Sequence, residues 1–344
     1  MTPPISSYGA DQYGLVYGYL FPRDGIGRAI DTQAASAWLA DQGRPEKYFI
    51  WLHFNGAHTA TQAWLRQHVD LPEEFAEALR EGSRSTRIEQ VQNGLIAVLN
   101  DVVYDMIPGA SLQVATLWLV VGPHYLVSVR NQPLSSVDRL RTAVNGVETF
   151  NSPLALVIHL FSDQANVLVR IMRSASEKVD GIEDSFLAER IPKRSNLGQL
   201  RRDLVRLQRL LAPEPSALFR LLNHPPSWVG VGEAENLRQS TEEFSLVLQD
   251  IASLQERIKL LQEEVASHIG ERTNRSLFVL TAVTVIALPI NLTAGLFGMN
   301  VGGVPFGQDQ AGFWIVVFLL MLVTGLAAWM VRRLREDEQP PNGL

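Results

Sequence analysis

Residues 276–299, SLFVLTAVTVIALPINLTAGLFGM, and residues 311–331, AGFWIVVFLLMLVTGLAAWMV, contain no charged side chain, and only NVGGVPFGQDQ, residues 300–310, separates them. A helix of about 20 apolar residues crosses a bilayer core of roughly 30 Å, so each stretch is long enough to span. The chain therefore reads as a multi-pass membrane protein with a two-helix hairpin (spans 276–299 and 311–331, outer loop 300–310). Arg272 and Arg275 precede the first span, Arg332, Arg333 and Arg335 follow the second, and the loop carries only Asp309. The positive-inside rule then puts both termini in the cytoplasm, with residues 332–344 as a short cytosolic tail. Residues 1–10 show neither a basic n-region nor an apolar core, so no signal peptide is expected.

Away from the hairpin the chain reads as soluble. Of its 344 residues 46% are hydrophobic and 19% charged, with a net charge of −6, which suits a cation as partner and argues against nucleic acid. The absence of cysteine excludes disulfides and thiolate zinc sites.

The N-terminal part interleaves β-type runs with helical spacing. Tyr13–Phe21, Lys47–Asn55, Gly94–Tyr104, Thr116–Val121 and His124–Arg130 read as strands, the last two as a hairpin around Gly122-Pro123. Thr32–Gln42 and Thr61–Glu81 read as helices, the second broken at Leu71-Pro72. The expected fold class is α+β, a mixed sheet with helices over residues 1–161, followed by a helical stalk region over 162–275. From Leu134 onward the spacing is helical: Ser135 and Ser136 are candidate caps, Ser152-Pro153 opens a long helix to about Arg190, and Leu197–Leu211 is a helix stopped by Ala212-Pro213-Glu214-Pro215. Pro225-Pro226 breaks the next segment. From about Glu233 no proline occurs until Pro289, and Phe244, Val247, Ile251, Leu254, Ile258, Leu261 and Val265 recur at steps of three and four. This is a heptad seam, expected where helices lie side by side. Continued through the first span, the helix would be very long, roughly 95 to 100 Å at about 1.5 Å per residue.

The first span ends in Phe297-Gly298-Met299-Asn300, and a Gly-Met-Asn triplet between two terminal spans resembles the signature of the CorA metal ion transporter family. The continuation, Asn300-Val301-Gly302-Gly303-Val304-Pro305-Phe306, is similar to the ZntB zinc transporter branch. The Met-Pro-Glu type segment usual in the magnesium branch is missing. The resemblance extends to the architecture: soluble α/β domain, very long helix, terminal hairpin. It implies a homopentamer around one central pore, with Gly298, Met299 and Asn300 as selectivity filter and transported Zn²⁺ rather than a bound cofactor as the metal. The branch also implies uptake coupled to protons. The zinc assignment rests on the resemblance alone, since neither span contains His or Cys.

The residues add their own reading. On a helix, Leu277, Leu280, Thr284, Leu288, Asn291, Gly295 and Gly298 share one face, a stripe suited to line a pore. An amide within hydrocarbon is costly without a partner or water, so Asn291 is expected to face protein or an aqueous path. Thr284 can alternatively bond its own helix at i−4. Asn300 would supply a ring of amide oxygens to hydrated cations, while as a C-cap it would only end the helix. Asp309 would give a ring of acids attracting cations from outside, or be a solvated loop residue. Pro289 would loosen the span. In the cytosolic part, His53 and His58 are weak metal candidates, and His268 continues the seam toward the inner mouth. Asp180, Glu183 and Asp184 share a helix face that could collect cations or be merely solvated, with Arg201, Arg202, Arg206 and Arg209 balancing them.

No phosphate-binding glycine loop, catalytic triad or kinase signature is present, so the chain is not read as an enzyme and transport would run on electrochemical gradients. The reading is an inner-membrane divalent cation transporter, zinc first, with a magnesium or cobalt channel of the same family as one alternative. A membrane-anchored cytosolic sensor, whose hairpin only anchors it and whose heptads form a dimeric stalk, is the other.

Overall fold

The computed structural model of the chain describes residues 9–22, 24–41, 43, 45, 47–82, 85–91, 94–103, 112–146, 148–188, 194–299 and 311–337. Two compact units make up the chain, Met1–Gln262 and Glu263–Leu344.

The first unit is built on one seven-stranded sheet. Its elements run β1 Leu15–Phe21, β2 Arg28–Ile30, α1 Thr32–Ala40, β3 Phe49–Asn55, α2 Thr61–His68, α3 Glu73–Glu81, β4 Arg87–Val91, β5 Gly94–Val102, β6 Val114–Val121 and β7 Tyr125–Arg130. The strand order is β2-β1-β3-β7-β6-β5-β4. Only β3 and β7 pair in parallel, from Ile50 opposite Tyr125 to Asn55 opposite Arg130, and the other neighbours are antiparallel, so the sheet is mixed as expected. The apolar runs are unbroken because both faces are covered. In β3, Phe49 and Trp51 face one core, while Ile50, Leu52 and Phe54 face the other. Trp64 and Leu65 of α2 and Phe75 of α3 fill the second core.

The first core is closed by α4 Ser135–Asn145, α5 Pro153–Leu187 and α7 Pro213–Asn223, the last preceded by α6 Arg194–Leu211. Ser152 caps α5 as the sequence indicates, its side chain accepting from Ala155 N. The stop of α6 at Leu211 is as expected, and the α4 caps are corrected. Helix α4 is capped by neither Ser135 nor Ser136. Its N-cap is Leu134, which makes no side-chain bond, because Ser136 is drawn to buried Asp101. The Ala212-Pro213-Glu214-Pro215 segment ends α6 but also starts α7, with proline in the first turn where no N–H is needed.

Helix α8, Val231–Phe297, is a single element of 67 residues. In a single chain its heptad seam is already buried: Phe244, Ile251 and Ile258 are each 0% exposed, and Val247, Leu254 and Leu261 are also buried. The α6 stripe of Leu197, Leu204, Leu207 and Leu211, together with Ala175 and Val179 of α5, is buried too. The heptads are thus satisfied within one protomer and need no coiled-coil partner. Arg257 of α8 fastens this packing, ion-paired to Asp180 at 2.7 Å and forked onto both carboxylate oxygens of Glu183 on α5. The fork is partly solvent-exposed, which limits its worth to about 1 kcal/mol at most. Arg257→Gln should therefore lower the denaturation midpoint only slightly, as a urea titration would read.

The second unit contains the end of α8 and α9 Gly312–Asp337. Among the described residues, three helices are long and apolar enough to cross a membrane: α5, α8 and α9. In α5 56% of the most apolar window is buried in the fold, whereas in α8 and α9 the figure is 0%. Helix α5 is therefore a core helix, and α8 and α9 are the two with unmet apolar surface. Arg333 lies over the Trp329 ring near the end of α9, 5.3 Å from its centroid, a pair suited to a membrane–water boundary.

Candidate functional site

At about 100° per residue, Leu277, Leu280, Thr284, Leu288, Asn291, Gly295 and Gly298 fall within an arc of roughly 80° on α8. All seven are exposed in the single chain. The half-covered residues Phe278, Ala282, Ile286, Pro289, Ile290 and Thr293 lie on the roughly opposite side, and half-covered Ala287 lies beside the stripe. Other exposed positions of the span, such as Val279, Val283, Val285, Leu292 and Leu296, are apolar and fit lipid. The stripe differs because it holds Asn291 and Gly295. No hydrogen bond to the Asn291 side chain is found among the described residues, so the amide meets neither its own helix nor α9. In a bilayer such a group needs water or another protein chain.

The threonines are accounted for locally. Thr284 Oγ1 donates to Leu280 O at 2.9 Å and Thr293 Oγ1 to Pro289 O at 2.7 Å, the i−4 bonds open to a threonine in hydrocarbon. Pro289 is accommodated within α8, lacking only its own N–H.

The helix ends at Phe297, and Gly298 N donates to Ala294 O at 2.9 Å. A Cβ on Gly298 would lie 3.0 Å from that same carbonyl oxygen, so the terminus is shaped around a residue without a side chain. Met299 follows, 53% exposed. Asn300 and Asp309 lie outside the described residues.

In the cytosolic unit, among the described residues, no three His, Cys, Asp or Glu side chains are placed to hold a metal. His53 is fully buried, its Nδ1 2.7 Å from Ser128 Oγ while its Nε2 accepts from Arg130 Nε at 2.7 Å. Both nitrogens are engaged, and burial followed by the Arg130 charge holds its pKa well below the usual histidine value, so it is a neutral core residue and not a ligand. His58 sits in the turn after β3, and His268 is exposed. The acidic face on α5 is only partly engaged, because Asp180 and Glu183 share the single charge of Arg257 on α8.

A second feature carries no signal in the sequence. Glu214 is 0% exposed, accepting from Asn100 N at 2.6 Å and Gln164 Nε2 at 3.0 Å, and Asp101 is buried nearby, accepting from Val102 N and from Ser136 N and Oγ. Burial raises both carboxyls, Asp101 to about 6 despite its hydrogen bonds, and Glu214 well above the usual range. Glu214 stands between two prolines that read as a helix stop, so its place in the core had no periodic signal.

Comparison with known proteins identifies the class. Residues 46–333 match the family described as CorA-like Mg2+ transporter protein. The chain belongs to this family. It is 29% identical over 333 residues to the divalent cation transporter CmaX of Pseudomonas aeruginosa, covering 94% of this chain and 97% of the relative. The structure of full-length CmaX superposes with a TM-score of 0.80 at 27% identity, covering 95% of this chain and 99% of that one. The zinc transport protein ZntB of Yersinia enterocolitica is 26% identical over 318 residues, covering 91% of this chain and 94% of the relative. The CorA magnesium transporter of Methanocaldococcus jannaschii shares the fold, with a TM-score of 0.72 at 18% identity over 92% of this chain and 97% of that one.

Proposed function

We propose that the chain is one subunit of a homopentameric divalent cation transporter of the inner membrane, both termini cytoplasmic, that carries Zn²⁺ through a central pore. The observation that carries this reading is the exposed α8 stripe with the unpartnered Asn291, which runs directly into Gly298-Met299-Asn300. Symmetry-related copies placed with this stripe inward would give every amide an aqueous path. Leu277, Leu280 and Leu288 would form apolar rings through which a cation passes with its water shell, and Asn300 would meet that shell at the outer mouth. Asp309 would concentrate cations there. Both CmaX and ZntB are relatives across more than nine-tenths of this chain, which supports divalent cations as cargo. Zinc is preferred because the residues after the triplet resemble the ZntB branch. The name of the family favours Mg²⁺ as the second reading.

Purified protein in liposomes loaded with a metal-sensitive dye tests this. Zn²⁺ entry exceeding Mg²⁺ entry, and rising with an inward proton gradient, is expected. Voltage-driven Mg²⁺-selective entry would replace zinc by the second reading, and no entry of either ion would leave the hairpin as an anchor.

A further inference from the structure

Two cavities open side by side in the first unit. One, of about 730 Å³, lies between α5, α6 and the end of β5, walled by Val102, Val103, Val167, Ile171 and Leu204. The other, of about 620 Å³, lies against α4 and is walled by Asp138, Arg139, Arg141, Thr142 and Asn145. They share Ser135 and Arg170. The first also receives Lys178 and Asp203. The joint site is walled by four cations, Arg139, Arg141, Arg170 and Lys178, against two acids, in a chain whose net charge is −6, with Arg139 also 3.8 Å from Asp163 and Arg141 lying over the Tyr17 ring at 4.9 Å. A positive groove is not what a cation path requires, and the pore reading leaves it unused.

The division of labour is chemical. The α4 side offers guanidinium groups, which suit phosphate oxygens through paired N–H donors. The α5–α6 side offers aliphatic walls with Arg170 at the junction, where a guanidinium plane can stack on an aromatic ring. Its volume is within the range of small-molecule pockets, and its opening to solvent suits a soluble amphiphile better than a lipid chain. We propose that this paired cavity binds a nucleoside polyphosphate, the base between α5 and α6 and the phosphates on Arg139, Arg141 and Arg170. Among the described residues no glycine loop wraps the phosphates and no three acids or histidines gather to hold a metal, so the ligand is assigned as an effector. Lys178 lies two residues before Asp180 on α5, where Arg257 ties this helix to α8. A ligand wedged between α5 and α6 therefore presses on the helix that is clamped to the pore helix. That regulatory consequence rests on the transport reading; the binding itself does not.

Calorimetry on the full-length protein in detergent, with EDTA present and no flux measured, separates the two. ATP is expected to bind, with adenosine and inorganic tripolyphosphate each at least tenfold weaker, because each fills one cavity only. Arg141→Gln and Arg170→Gln are each expected to weaken ATP at least tenfold, Arg170→Gln without moving the ligand-free melting temperature because it is exposed, and Arg141→Gln with only the small loss of its stacking on Tyr17. Absence of ATP binding at millimolar concentration, tripolyphosphate binding as tightly as ATP, or unchanged affinity in both arginine variants would each overturn the proposal. ATP binding with altered Zn²⁺ entry in liposomes would extend it to regulation.

Discussion

Asn300→Ala is expected to lower cation entry into proteoliposomes at least tenfold while leaving the elution of the protein from a sizing column unchanged. In the proposed pore every subunit contributes the same amide to the outer mouth, so one substitution removes the whole ring. The ring acts on the hydration shell of a dication, for which water is expensive to strip and hydrogen-bond acceptors must replace what is disturbed. Loss of as little as about 1.4 kcal/mol at this step is already tenfold. Gly298→Ala gives a comparable loss by a different route. Its new Cβ would stand 3.0 Å from the Ala294 carbonyl oxygen, so the end of α8 must shift and carry Met299 and Asn300 with it. Val283→Ala is the control. It is as exposed as the stripe but lies off it, so its flux should stay near wild type. Full flux in both the Asn300 and Gly298 variants would reduce the hairpin to an anchor.

What could be read from the sequence follows from which elements have two buried faces or none. The strands β1, β3, β5, β6 and β7 are apolar runs covered on both sides, and the two spans are apolar on all sides, so both carry strong signals. The strands that were missed, β2 at Arg28–Ile30 and β4 at Arg87–Val91, are the two edges of the sheet. An edge strand is short and charged because it must not recruit another chain, which erases the pattern that would reveal it. The α8 heptads were visible, but heptads do not say which helix fills the holes. Only the structure shows that Phe244, Ile251 and Ile258 are buried within one protomer, leaving the dimeric stalk without its main support. The pore stripe was legible as a helical face. What needed coordinates was its exposure, with no hydrogen bond to the Asn291 side chain among the described residues.

Asp101 makes the stability of the protein depend on pH in a way a single substitution exposes. Its folded pKa of about 6 lies above the ordinary 3.8 because burial disfavours the charge more than the bonds from Ser136 and Val102 favour it. Between these values the unfolded chain releases its proton first, so stability falls as pH rises. The contribution is complete below about pH 4 and lost above about pH 6, a difference of up to about 3 kcal/mol. Glu214, raised further by burial, extends the decline to higher pH, and His159, raised by its bond to Asp163, acts in the same direction. His53 opposes them: held neutral by burial, it loses its contribution as pH falls below the usual histidine range. Asp138, raised by burial, adds to the decline, so raw melting curves mix five groups. Asp101→Asn removes one while keeping its shape and an acceptor for Ser136 N, at a fixed cost that does not titrate. Subtracting the variant from wild type removes His53 and His159, while Glu214 and Asp138, whose charges act on Asp101, stay within the difference as its partners. Denaturant titrations of the full-length protein in detergent from pH 4.5 to 7.5 should show the wild-type advantage shrinking by about 2 kcal/mol as the buffer is raised, the rest having been lost below pH 4.5. A difference that stays flat across that range would mean Asp101 is already ionised at pH 4.5, and that its burial is offset by its hydrogen bonds.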